Sequence, residues 1–156
     1  MNVREQKTES RFHAGLRTLR PPKTTKPREH GLGPDHPEVA TIYHNLGGLE
    51  HASGNYARGE PLARRAVEIR ERALGPDHVD TAADLAALAA ILDGQGKYGE
   101  SEPIYRRALE VFEHAYGPEQ YEIAINLNNL AALKQAQGKG AEAEPLYQRA
   151  SHSREN

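Results

Sequence analysis

The chain has 156 residues, 27% of them charged, with a net charge of −2, ten prolines, 14 glycines, two phenylalanines and no cysteine. That length allows one domain or one array of a few repeats, and so few large apolar side chains would make a poor single globular core. The missing cysteine excludes a disulfide framework and thiol chemistry, no apolar run approaches a membrane span, no signal-peptide core follows Met1, and a cytoplasmic setting is the simplest.

Charge is unevenly spread along the chain. Residues 1–31 hold eight Lys/Arg against three Asp/Glu, whereas residues 32–156 hold twelve against nineteen. The acidic part excludes the basic stripe that a nucleic-acid surface needs. The first 31 residues read as a basic, mostly disordered leader, a solvated tail rather than a docking surface. Within it Phe12, Leu16 and Leu19 stand at i, i+4 and i+7, enough for a short helix over 9–20. Pro21-Pro22 stops that helix, and "PPKTTKP" reads as linker.

From Leu32 the chain repeats itself. Leu32-Gly33-Pro34-Asp35-His36 returns as Leu74-Gly75-Pro76-Asp77-His78, and more loosely as Tyr116-Gly117-Pro118-Glu119-Gln120. The spacing of 42 residues brings Ala40, Ala82 and Ala124 into line, as it does Gly54, Gly96 and Gly138, and Pro61, Pro103 and Pro145. A fixed period without gaps marks a stacked array, here three repeats over 32–73, 74–115 and 116–156. Arg28–Gly31 matches Arg70–Ala73, so the chain enters the array as though from an earlier repeat.

Each repeat divides into two helical halves. In the first half Val39, Tyr43 and Leu46 form an apolar stripe, as Ile123, Leu127 and Leu130 do in the third copy. Asp35 with Glu38, and Asp77 with Asp80, have the spacing of N-terminal caps, while His36 and His78 belong to the turn. Gly54, Gly96 and Gly138 end the first helix. The second begins near Tyr56, Tyr98 and Gly140, with Leu62, Ala66 and Ile69 or Ile104, Ala108 and Val111 as its stripe. Glu60–Arg64 and Glu102–Arg106 are ion pairs at i, i+4 on its outer surface. Helices of about 16–18 residues joined by short turns result. Ser151 and Ser153 replace apolar residues of the earlier copies and give the last helix a polar edge.

The stretch "LGPDHPEVATIYHNLGGLEHASGNYARGEPLARRAVEIRERA" resembles the 42-residue tetratricopeptide repeat of the kinesin light chain type, and so does "NNLAALKQAQGKGAEAEPLYQRA". The resemblance covers 32–150. It implies an all-α solenoid of three antiparallel helix pairs in a right-handed superhelix, whose first helices line a concave groove for an extended or helical peptide. By that register the groove positions are Thr41, His44, Asn45, Gly48 and His51 in the first copy. The second copy offers Ala83, Ala86, Ala87, Ala90 and Asp93, and the third Ile125, Asn128, Asn129, Ala132 and Gln135.

Asn45 and Asn129 are the groove residues best suited to a ligand. An amide both donates and accepts, which matches a peptide backbone, although a bond inside the array is the competing reading. His44 and His51 share a helix face, yet zinc would want further ligands, and no metal or cofactor is expected. No acid–base pair, nucleophile or phosphate-cradling loop is visible, so an enzyme is not expected. Arg64-Arg65 and Arg106-Arg107 read as an ion-paired outer face. The expected function is a scaffold or adaptor that binds a protein or peptide partner, with no nucleic acid and no membrane. The alternative is a structural or self-associating remnant of a longer array, with weak association through the N-terminal edge.

Overall fold

The computed structural model describes residues 33–118 and 120–154. The leader, with Phe12, Leu16 and Leu19, lies outside the described residues. Six helices follow one another: α1 (Pro37–Ala52), α2 (Tyr56–Leu74), α3 (Val79–Gly94), α4 (Tyr98–Tyr116), α5 (Tyr121–Ala136) and α6 (Gly140–His152). No strand occurs among the described residues, and no helix among them is long and apolar enough to cross a membrane.

The helix starts are set by histidine rather than by aspartate. His36 has an extended backbone and its Nδ1 accepts from the Glu38 N–H at 3.2 Å; His78 does the same for Asp80 at 3.0 Å. The caps expected at Asp35 and Asp77 are therefore displaced by one residue. Those carboxylates reach sideways instead, Asp35 to Arg65 at 3.5 Å and Arg72 at 3.7 Å, Asp77 to Arg107. The second arginine of each Arg-Arg pair thus ties the turn to the second helix of its own repeat. In the third copy Gln120 holds the histidine position and makes no side-chain cap bond.

The first helices stop at glycine, as expected. Gly54, Gly96 and Gly138 have φ of 73°, 75° and 75°. The Gly96 N–H donates to Asp93 O at 2.9 Å and the Lys97 N–H to Leu92 O at 2.9 Å, two bonds that satisfy carbonyls at the helix end. The second helices α2 and α4 run 19 residues, longer than expected. They absorb Leu74 and Tyr116 of the next turn motif, and Pro61 and Pro103 lie inside them without ending them.

Every helix packs on its successor, and in addition α1 touches α3 and α3 touches α5. Successive second helices make at most marginal contact. The stack therefore curves with α1, α3 and α5 on its inner side. Ala63, Leu88, Ile91 and Leu92 pack between the first and second repeats. Tyr105, Leu109 and Phe112 pack with Ile123, Leu127, Leu130 and Leu133 between the second and third. Each of these large side chains contributes about 1.5–3 kcal/mol by leaving water. Of the expected stripes, Leu62, Ala66, Ile69, Ala108, Val111, Ile123, Leu127 and Leu130 are buried and Ile104 half-buried. Val39, Tyr43 and Leu46 are only half-buried; among the described residues α1 is packed by α2 and α3. Ser153 is not a solvated edge residue: it is buried, and its hydroxyl donates to Pro118 O at 2.9 Å.

The expected Glu60–Arg64 pair is part of a clamp between repeats. Glu60 Oε1 accepts from Arg64 Nη2 at 2.8 Å, while Oε2 accepts from Lys97 Nζ at 2.9 Å and Gln95 Nε2 at 2.7 Å, both beyond α3. Glu102 takes up Arg106 at 2.9 Å and Lys134 at 2.7 Å in the same way at the next junction. The Lys97 ammonium, then the Gln95 amide, hold the Glu60 carboxyl down at about 2. A carboxyl lowered on folding stabilises above its unfolded value and loses that contribution as pH falls toward the folded one. Glu60→Gln should therefore lower the unfolding free energy measured in urea at pH 7 by about 1 kcal/mol once the exposed cations are allowed for. The difference from wild type should shrink as pH falls from 4.5 toward 2; an equal difference at pH 7 and pH 3 would contradict the clamp.

Candidate functional site

The inner face is built by the small-residue sides of three parallel first helices. Gly47 is buried against α2, where a Cβ would meet Ala63 N at 3.5 Å, an ordinary contact. Gly48, Ala87 and Ala90 keep the space between α1 and α3 open. A cavity of about 100 Å³ results, with His44 and His51 on one wall and Ile91 and Ala63 among the deeper residues.

Beneath this cavity lies a charged cluster. Asp84 is 2% exposed; its Oδ2 accepts from Arg70 Nε at 2.8 Å and its Oδ1 lies 2.8 Å from His44 Nδ1. Arg70, also buried, donates to Pro37 O at 3.1 Å and to Thr41 Oγ1 at 3.1 Å. One guanidinium from α2 thereby joins the start of α1 to the middle of α3. Because the carboxylate only accepts, Nδ1 carries a proton, and in the neutral imidazole Nε2 is the acceptor.

The sequence-derived groove residues divide by what they already bond. Thr41 is exposed, but its hydroxyl accepts from Arg70 and donates to Pro37 O at 3.3 Å. His44 is half-buried and bound to Asp84. His51 is exposed and meets the Tyr56 ring edge-on at 5.4 Å. Asp93 is half-buried, and burial raises its carboxyl above the usual range while His51 works the other way. In the third copy Ile125 is 37% exposed and Gln135 accepts from the Tyr147 hydroxyl at 3.0 Å. Asn45 is exposed, Asn128 and Asn129 half-buried, and none of the three side chains makes a hydrogen bond among the described residues. The structure brings His44, Gly48, His51, Ala87 and Ala90 around one cavity. It does not bring Asn45 and Asn129 together, since a whole repeat separates them.

Asp84 and Arg70 did not emerge from the sequence as a unit, yet a signal was present. Asp84 is the lone charge between Thr81 and Ile91, and Arg70 recurs at the 42-residue spacing as Arg28 and Arg154, with Phe112 the exception. Among the described residues no group of three or more His, Asp or Glu is placed to hold a metal.

Three comparisons bear on this arrangement. A tetratricopeptide repeat family model matches residues 38–114 and 87–156. The crystal structure of BtubC (BKLC) from P. vanneervenii matches with a TM-score of 0.74 at 24% identity, covering 97% of this chain and 56% of that one. The chain thus spans little more than half of that protein's length, and the likeness is one of fold. No curated protein matches.

Breaking a buried ion pair from one side strands a charge, at a cost of about 3–5 kcal/mol. Phe112 and Asn126 occupy the equivalent positions at the second junction, one period further on. Arg70→Phe alone should therefore destabilise the chain strongly in urea denaturation, and adding Asp84→Asn should recover most of the loss. A single variant as stable as wild type would contradict the cluster's role in joining α1, α2 and α3.

Proposed function

The chain belongs to the tetratricopeptide repeat family, with 42-residue repeats of the kinesin light chain type, and from that premise we propose that it is an adaptor or scaffold module holding a peptide segment of a protein partner on its inner face. Repeats of this family mediate protein–protein interaction, and solenoids of this kind are typically non-catalytic. The observation that carries the finer reading is the state of Asn129. It is half-buried, the repeat register assigns it to the inner side of α5, and its amide makes no hydrogen bond among the described residues. An amide so placed can donate to and accept from one ligand peptide unit. Asn45 offers the same group two helices away, so the ligand lies across α1, α3 and α5. Thr41 and Gln135 already bond within the scaffold, and serve as groove wall more than as ligand contacts. The reading needs no cofactor, metal, nucleic acid or membrane, and it places the chain in the cytoplasm, in keeping with its lack of cysteine.

A second reading, association of two copies through the N-terminal edge, is favoured by one observation. Ile42 and Leu49 on α1 are 40% and 63% exposed, whereas Asp84 and Ile91, one repeat on, are 2% and 1% exposed. Among the described residues, the face that α3 buries on a preceding second helix has no counterpart covering it on α1. If copies meet there, sedimentation over a concentration series should show mass rising with concentration, and Leu49→Glu should abolish the rise. A monomer throughout would remove this reading.

The groove is tested with a partner captured from a lysate and narrowed to a synthetic peptide. Asn129→Ala should weaken that peptide by about 1 kcal/mol or more, a typical hydrogen-bond loss, with little change in melting temperature. Equal losses of binding and stability would make the asparagine part of the scaffold.

A further inference from the structure

The two junctions between repeats differ in one respect that creates a site. At the second junction Tyr105 is 1% exposed and fills the space beside Ala89 and Ala108. One period earlier these three positions are Ala63, Gly47 and Ala66. The ring and a methyl group are missing, and the cavity of about 100 Å³ stands on that side of the first junction. It opens between Gly48 on α1, where a Cβ would meet nothing within 4 Å, and Ala87 and Ala90 on α3.

Two features say what it accepts. Its size is below the roughly 150 Å³ at which an apolar cavity takes benzene, so it suits a branched or linear aliphatic group and not an indole. Its polar edge is defined as well. The Asp84 carboxylate holds His44 Nδ1 as donor, and in the neutral ring the opposite nitrogen is an acceptor for a ligand N–H. Asp84 itself is neutralised by Arg70, so its charge does not repel an apolar group. Building on the groove reading, we infer that the cavity between α1 and α3 is a specificity pocket for one leucine-sized aliphatic side chain of the bound peptide, with His44 accepting a backbone N–H beside it.

The probe is a random peptide library panned on the whole chain, with affinities of resynthesised binders measured by fluorescence anisotropy. Selected peptides should share Leu, Ile or Met at one position. Replacing it by Ala should weaken binding about tenfold, and replacing it by Trp should weaken it at least as much. Ala90→Leu and Gly48→Leu each place a side chain in the cavity; in either variant that folds like wild type by circular dichroism and melting, the Leu and Ala peptides should bind equally. Gly48→Leu also exchanges a helical glycine for a better helix former, so it guards against simple unfolding. Peptides that bind wild type with no shared aliphatic position, or a Leu-to-Ala difference that survives both filled variants, would overturn the pocket and leave the groove standing. No peptide selected by wild type at all would overturn the groove reading, and the pocket with it.

Discussion

A helix pair of this composition cannot bury its own apolar stripe, and everything else in the molecule follows from covering it with the next pair. Ala63 of α2 is buried with Leu88, Ile91 and Leu92 of α3, and Tyr105, Leu109 and Phe112 of α4 with Ile123 and Leu127 of α5. The glycine stops at Gly54, Gly96 and Gly138 fix where each first helix reverses, so the same faces meet each time. Once first helices touch one another more than second helices do, an inner face with small residues and an outer face with ion pairs follow.

Within that constraint the two junctions are made of different chemistry. The first is held by Arg70 and Asp84 across α2 and α3, with His44 and Thr41 drawn in from α1. The second is an apolar contact of Tyr105, Leu109 and Phe112 with α5. Asn126 stands where Asp84 does, and its Oδ1 is buried without a hydrogen-bond partner. The apolar junction packs more bulk; the charged one leaves room for a cavity and holds a histidine beside it. A buried ion pair is seldom a source of net stability, and here it joins α2 to α3 and, through Thr41 and His44, to α1.

Much of this was legible in the sequence, because a repeat compares itself with itself. The period of 42 residues placed all six helix starts within a residue or two, and the positive-φ glycines were read from their recurrence. The caps were misplaced because aspartate is the commoner capping residue, while here Arg65 and Arg107 compete for the carboxylates and leave the task to His36 and His78. The groove positions were named from family register alone, which gives a side of a helix but not what its residues already bond. Thr41 illustrates the limit: the register puts it on the inner side, and only the path of Arg70 shows its hydroxyl to be taken. The cavity was hidden because it arises from what is absent. Ala63 and Gly47 look unremarkable until Tyr105 and Ala89 are seen to fill the equivalent space.

The central claim is that recognition takes place on the inner side of α1, α3 and α5. Backbone amide shifts of the isotope-labelled chain, followed by NMR while a selected peptide is added, test it most directly. Shifts concentrated around His44–His51, Ala87–Asp93 and Asn128–Gln135 are the predicted result. Shifts confined to the outer turns of α2, α4 and α6, or to Ile42 and Leu49 at the N-terminal edge, would contradict it.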